Sequence, residues 1–149
     1  MENLFTAIAN QQMVDRINSL TADTKPLWGK MTVAQMLAHC QEPLYVALGE
    51  KHLKGGLMAF LFGKIAKKQL VKDTPFKRNL PTASGFIVKT EKNFSEEKNK
   101  LVELVKRFGK NDPEEIAKRL HPFFGKLNAE EWNTLQYKHL DHHLKQFGV

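Results

Sequence analysis

Apolar residues recur at helical spacing along most of the chain. Met13, Val14, Ile17 and Leu20 mark one face of a first helix, which the turn-rich run from Leu20 to Pro26 closes near Leu20. Thr32 opens a second: its hydroxyl can cap the backbone while Gln35 reaches back, with Met31 and Met36 placed as a flanking staple. The apolar stripe of that helix is Val33, Met36, Leu37, Cys40, Leu44 and Ala47. Pro43 lacks the N–H that would bond the carbonyl of His39, so a kink is expected there. Ser95 reads as the cap of a third helix carrying Leu101, Leu104, Val105 and Phe108, with Gly109 at its C-terminal turn. Asp112-Pro113-Glu114-Glu115 opens a short helix that ends before Pro122. Asn128, with Glu131 as its capping partner and Leu127 against Trp132, begins the last helix, which runs to about Phe147. Only Gly85 to Thr90 looks strand-like, and one short strand has no partner. The pattern predicts an all-α four-helix bundle, with an extra short basic and apolar helical segment between the second and third long helices. No repeat or linker divides residues 1–149, so one domain is expected.

The last helix is unusual in what it points inward. At ~100° per residue, Thr134, Lys138, Asp141 and Lys145 share the side expected to face solvent. Opposite them Trp132, Gln136, His139 and His143 fall within about 60° of one another, Gln146 stands beside them, and Leu135, Leu140 and Phe147 only flank. Each buried amide or imidazole without a partner costs about 1–3 kcal/mol, so a polar core line implies something that compensates it. His139 and His143 are one turn apart and can share a metal ion at ~2.0–2.1 Å. A third donor must come from a facing helix, and His39 is the candidate, at the margin of its apolar stripe. Cys40 reads as a small apolar filler whose place beside His39 leaves ligation open. His121 and His52 read as loop or surface residues, His142 as a flanking residue, and Glu42 and Asp141 as solvated.

With 42% hydrophobic and 26% charged residues among 149, the composition is that of an ordinary globule. A single cysteine excludes an internal disulfide framework and suits a reducing, cytoplasmic setting. The start Met1-Glu2-Asn3 places an acid where a signal peptide is basic, which argues against export, and the longest apolar run, Leu57 to Phe62, is far too short to span a bilayer. The net charge of +7 lies entirely between Lys51 and Arg78, where Lys51, Lys54, Lys64, Lys67, Lys68, Lys72, Lys77 and Arg78 face only Asp73. That segment fits a core-capping helix with a solvated lysine rim better than a membrane-surface helix, and it could also gather an anionic small molecule.

Three blocks carry a resemblance. Lys25-Pro-Leu-Trp-Gly-Lys-Met-Thr-Val-Ala-Gln-Met-Leu-Ala-His-Cys, His121-Pro-Phe-Phe-Gly-Lys-Leu-Asn-Ala-Glu-Glu-Trp and Leu135-Gln-Tyr-Lys-His-Leu-Asp-His-His-Leu-Lys-Gln-Phe together resemble a domain-of-unknown-function branch of the DinB/YfiT-like superfamily of metalloenzymes. The resemblance implies a four-helix bundle with a metal-binding histidine on the second helix and an H-x-x-x-H-x-x-Q pattern on the last. These correspond to His39 and to His139, His143 and Gln146. It also implies a divalent metal such as zinc or nickel, frequent homodimers, and, for some relatives, reactions that use low-molecular-weight thiols. The basic segment and the H-P-F-F-G block belong to this branch and take no role by analogy.

Three histidines leave an open metal position, the catalytic pattern. The expected function is therefore a metal-dependent thiol transferase or hydrolase acting on a small molecule. His39, His139 and His143 would hold the metal, and Gln146, Gln136 and His142 would support or orient what binds. No carboxylate is placed to act as general base, which favours a thiol over water. The alternative is a non-catalytic module whose 51–78 segment docks on nucleic acid or an anionic membrane. Nucleic acid is disfavoured because the segment holds no helix-turn-helix or base-stacking pattern.

Overall fold

The computed structural model describes residues 1–52, 67, 68, 72, 74–82 and 84–149. It is mostly helical: α1 (Ala7–Ser19), α2 (Val33–Ala47), α3 (Phe94–Lys110), the short α4 (Pro113–Ala117) and α5 (Ala129–Gln146). The segment expected to form an extra basic and apolar helix lies largely outside the described residues. Helix α2 packs on α3 and α5, and α1 packs on α3 and α5, around a core that includes Met13, Ile17, Met36, Leu37, Leu44, Leu101, Phe108 and Trp132. No helix among the described residues is long and apolar enough to cross a membrane.

The helix starts follow the caps. Thr32 accepts from the Gln35 amide and Gln35 Oε1 accepts from the Thr32 amide, a reciprocal pair that sets the first residue of α2 and with it the angular position of His39. Asn128 and Glu131 do the same for α5. Asp112 caps α4. Helix α2 runs on through Pro43 and does not end there.

Four expectations are corrected. The cap of α3 is Asn93, whose side chain accepts from the Glu96 amide at 3.0 Å; Ser95 lies inside the helix. Asparagine caps as well as serine, and this start also puts Glu96 and Glu97 in the first turn, against the positive end of the dipole. Gly109 lies in the last turn of α3, but as a helical residue and not as a left-handed stop beyond the helix, which Asn111 caps. A Cβ there would stand 2.3 Å from Asn10 Nδ2 and 2.7 Å from the Leu4 carbonyl, so this glycine serves the close approach of the N-terminal segment to α3. Gly85 to Thr90 forms no strand; Ser84–Phe86 is a single 3-10 turn, and the sheet is a two-residue hairpin pairing β1 (Leu120–His121) with β2 (Gly125–Lys126). Finally, the side of α5 expected to be solvated is covered along its first half, while Lys145 stays exposed. Thr134 and Lys138 are buried, the Lys138 ammonium donates to the Lys72 carbonyl at 3.0 Å, and it lies 4.9 Å from the centre of the Phe76 ring. A chain segment laid over α5 was invisible to a helical wheel, which knows only one helix at a time.

Candidate metal centre

His39 on α2 and His139 and His143 on α5 converge. Their ring centres form a nearly equilateral triangle with sides of 4.9, 4.7 and 4.7 Å. One nitrogen from each lies within 4.8 Å of the others, and His39 Nε2 and His139 Nε2 are 3.0 Å apart. The nitrogens of a tetrahedral ion held at ~2.0–2.1 Å stand about 3.3 Å from one another, a spacing that these separations bracket.

The tautomers follow from the hydrogen bonds. His39 Nδ1 donates to the Phe86 carbonyl at 2.9 Å, which leaves its Nε2 with a free lone pair. His143 Nδ1 donates to Gln146 Oε1 at 2.8 Å, and the Gln146 amide is itself oriented by donating from Nε2 to the Trp28 carbonyl at 2.7 Å. His143 Nε2 is thereby also a lone pair. Backbone carbonyls and amides that hold the far nitrogen of a ligating histidine are what fixes ring orientation and raises ligand basicity. The turn at Gly29 makes the Trp28 contact possible: it has φ +83°, and a Cβ there would stand 2.5 Å from Gln146 Nε2.

His139 has the least satisfied surroundings. Its Nδ1 is buried with no hydrogen-bond partner among the described residues, and its Nε2 lies 3.0 Å from the lone pair of His39 Nε2. If Nε2 carries the ring proton, Nδ1 is left a buried acceptor without a partner; if Nδ1 carries it, two Nε2 lone pairs face each other, a conflict that a cation between the rings relieves. Burial holds all three rings neutral. It pushes His139 well below the usual histidine range, with the neighbouring His143 and His39 adding to it, and lowers His143 to about 3. His39 is lowered by burial against the opposing pull of its Phe86 hydrogen bond and of Glu42. Neutral imidazoles are the form that binds metal.

The cluster opens on a cleft of about 500 Å³ whose lining includes Trp28, Met31, Phe76, Phe86, Phe123, Phe124 and Leu135. No aspartate or glutamate lines it among the described residues.

Other candidates lie elsewhere. Gln136 is buried but donates to the Pro43 carbonyl at 3.2 Å, so its amide ties α5 to α2 and does not orient a histidine. His142 packs edge-on against Trp28, Phe76 and His143, with ring centres 5.8, 6.2 and 5.1 Å away. It braces His143 by contact. Cys40 is fully buried, its thiol is pushed up by burial, and its sulfur points to Met36 Sδ at 3.6 Å, so it is a filler and not a ligand. Glu42 and Asp141 are not simply solvated: Glu42 pairs with Lys51, and Asp141 pairs with Arg16 at 3.0 Å and Lys145 at 2.8 Å. His52 is exposed as expected.

His121 is the main reversal. It is only 5% exposed, stacked on Phe124 and tilted against Trp132, with ring centres 4.5 and 5.3 Å away, and it lines the same cleft. Its Nδ1 accepts from the amides of Phe123 and Phe124 at 3.1 and 3.2 Å, closing the hairpin turn. Proline next to it suggested a loop, but this loop folds back on the core. The supporting carbonyls of Phe86 and Trp28 were also missed, and no side-chain pattern announces a backbone acceptor.

No curated protein and no solved structure matches the chain. A family profile described as "Protein of unknown function (DUF1569)" matches residues 3–148, and the chain belongs to that family.

Proposed function

We propose that this member of a family of unknown function is a metal-dependent enzyme with a DinB/YfiT-like four-helix-bundle architecture, in which His39, His139 and His143 hold one divalent ion. One observation carries the reading: two histidine lone pairs, each aimed by a hydrogen bond at the opposite ring nitrogen, meet a third imidazole whose buried Nδ1 has no partner among the described residues. The histidine on the second helix and the H-x-x-x-H-x-x-Q spacing on the last also fit that superfamily. When bound, zinc or nickel in an open three-histidine site supplies Lewis acidity that lowers the pKa of a thiol or water ligand.

The residues of the chain supply the rest. The Phe86 carbonyl and Gln146 keep the far protons of His39 and His143 out of the site. The aromatic walls give the cleft a largely apolar lining, which strengthens electrostatic contacts made against it. Among the described residues no carboxylate lines the cleft to deprotonate water, so a substrate that needs only a stabilised anion, such as a thiol, suits it better. Transfer from or to a low-molecular-weight thiol is therefore favoured over hydrolysis.

Elemental analysis of untagged protein tests the first step. About one divalent ion per chain, lost in His139→Ala, is the expected result. Metal content far below one per chain that His139→Ala leaves unchanged would remove the reading.

A further inference from the structure

The cleft contains a fourth imidazole that the metal reading does not use. Because His121 Nδ1 accepts two backbone amides, it must carry the lone pair, and the ring proton must therefore sit on Nε2. No acceptor for that proton is found among the described residues. The ring itself is immobilised between Phe124 and Trp132. The result is a neutral, fixed N–H donor on the wall of a largely apolar cavity, whose lining it shares with the polar groups of the histidine cluster, where burial keeps the ring uncharged by lowering its pKa to about 4. A few placed polar groups in an apolar cavity are what gives a small-molecule site its orientation and selectivity, and a volume of about 500 Å³ is within the ordinary range for one.

We infer that His121 is a substrate-binding residue whose Nε2–H donates to an oxygen acceptor on a ligand with an aromatic or apolar body, the body lying against Trp28, Phe76, Phe86, Phe123 and Leu135. The inference rests on the metal reading only for the choice of this cleft as the substrate site. It makes His121 a donor and not a base, since its one free lone pair is committed to the turn. The acceptor is a carbonyl, carboxylate, sulfonate or phosphoryl oxygen.

Two fluorescent probes with one ring system separate the contributions. 8-Anilinonaphthalene-1-sulfonate carries an oxygen acceptor, and N-phenyl-1-naphthylamine is the same body without it. His121→Asn is the informative variant, because its amide oxygen can stand in for Nδ1 at the turn while the shorter side chain does not reach the Nε2 position. Binding is measured on the full chain, as purified and after chelation. The expected result is a loss of about tenfold in sulfonate affinity, with the naphthylamine unchanged within about twofold, in both metal states. Equal losses for the two probes, or none for either, would overturn the assignment. Should His121→Asn fail to fold, the imidazole Nε2–H resonance of the unmodified protein decides: a shift with the sulfonate and none with the naphthylamine supports it, and identical responses overturn it. A His121-dependent preference for the sulfonate in a protein that binds no metal would sink only the metal reading.

Discussion

Gln146→Leu tests the support of the centre without touching a ligand. Gln146 Oε1 is the acceptor for His143 Nδ1–H at 2.8 Å, and its Nε2 donates to the Trp28 carbonyl at 2.7 Å, so the substitution strands a buried donor on the histidine and frees the ring to turn. Leaving one buried donor unsatisfied costs about 1–3 kcal/mol. Removing the outer hydrogen bond of a ligating histidine typically lowers metal affinity ~10–100-fold, or about 1.4–2.8 kcal/mol at 1.4 kcal/mol per decade. Gln136→Leu is the matched control, because that amide is as deeply buried and on the same helix face but bonds the Pro43 carbonyl instead. Both variants should unfold at lower urea. Competition titration of zinc against a chromophoric chelator should show the drop for Gln146→Leu alone. Equal affinities for wild type and Gln146→Leu, or an equal fall in Gln136→Leu, would refute the claim that His143 is oriented through Gln146.

Three further outcomes follow from the same geometry. Gly29→Ala should weaken zinc binding in the same titration by about tenfold, because its Cβ would press on Gln146 Nε2 at 2.5 Å and its φ of +83° is strained for alanine. Gly109→Ala should lower stability to urea by ~1–3 kcal/mol, although alanine is the better helix former by about 1 kcal/mol, because the Cβ meets Asn10 and the Leu4 carbonyl. His121, whose folded pKa is lowered to about 4, takes up its proton in the unfolded chain first, so its contribution is intact above pH ~6.5 and is lost as pH falls toward 4. The full difference is about 3 kcal/mol. Urea unfolding of metal-free protein should show a shallower loss between pH 7.5 and 4 in His121→Asn, the remaining slope belonging to the other buried histidines.

Much of the helical framework was legible in the chain because its signals are local. The capping pairs Thr32 with Gln35 and Asn128 with Glu131 act within one turn, and the start of each helix fixes the direction of every residue after it. That is why the inward line of Trp132, Gln136, His139 and His143 could be read from spacing, and why His39 could be named as the histidine that faces them. The same local logic failed wherever a second segment intervened. Ser95 and Asn93 are equally good caps in isolation, and Gly109 resembles a helix stop until the N-terminal segment is seen lying against it.

By itself, then, the sequence determined the helices, their apolar faces and the three imidazoles that could share an ion, since periodicity and capping depend on neighbours a few residues away. The tertiary structure alone decided what completes the site. Phe86, 47 positions from His39, and Trp28, 118 from Gln146, orient the ligating rings through their main-chain carbonyls, which every residue has and no pattern can distinguish. It also turned His121 from a loop residue into a buried donor, and covered Lys138 with a distant turn. Burial and long-range hydrogen bonds are properties of pairs of segments in space, so they have no signature in either segment taken separately.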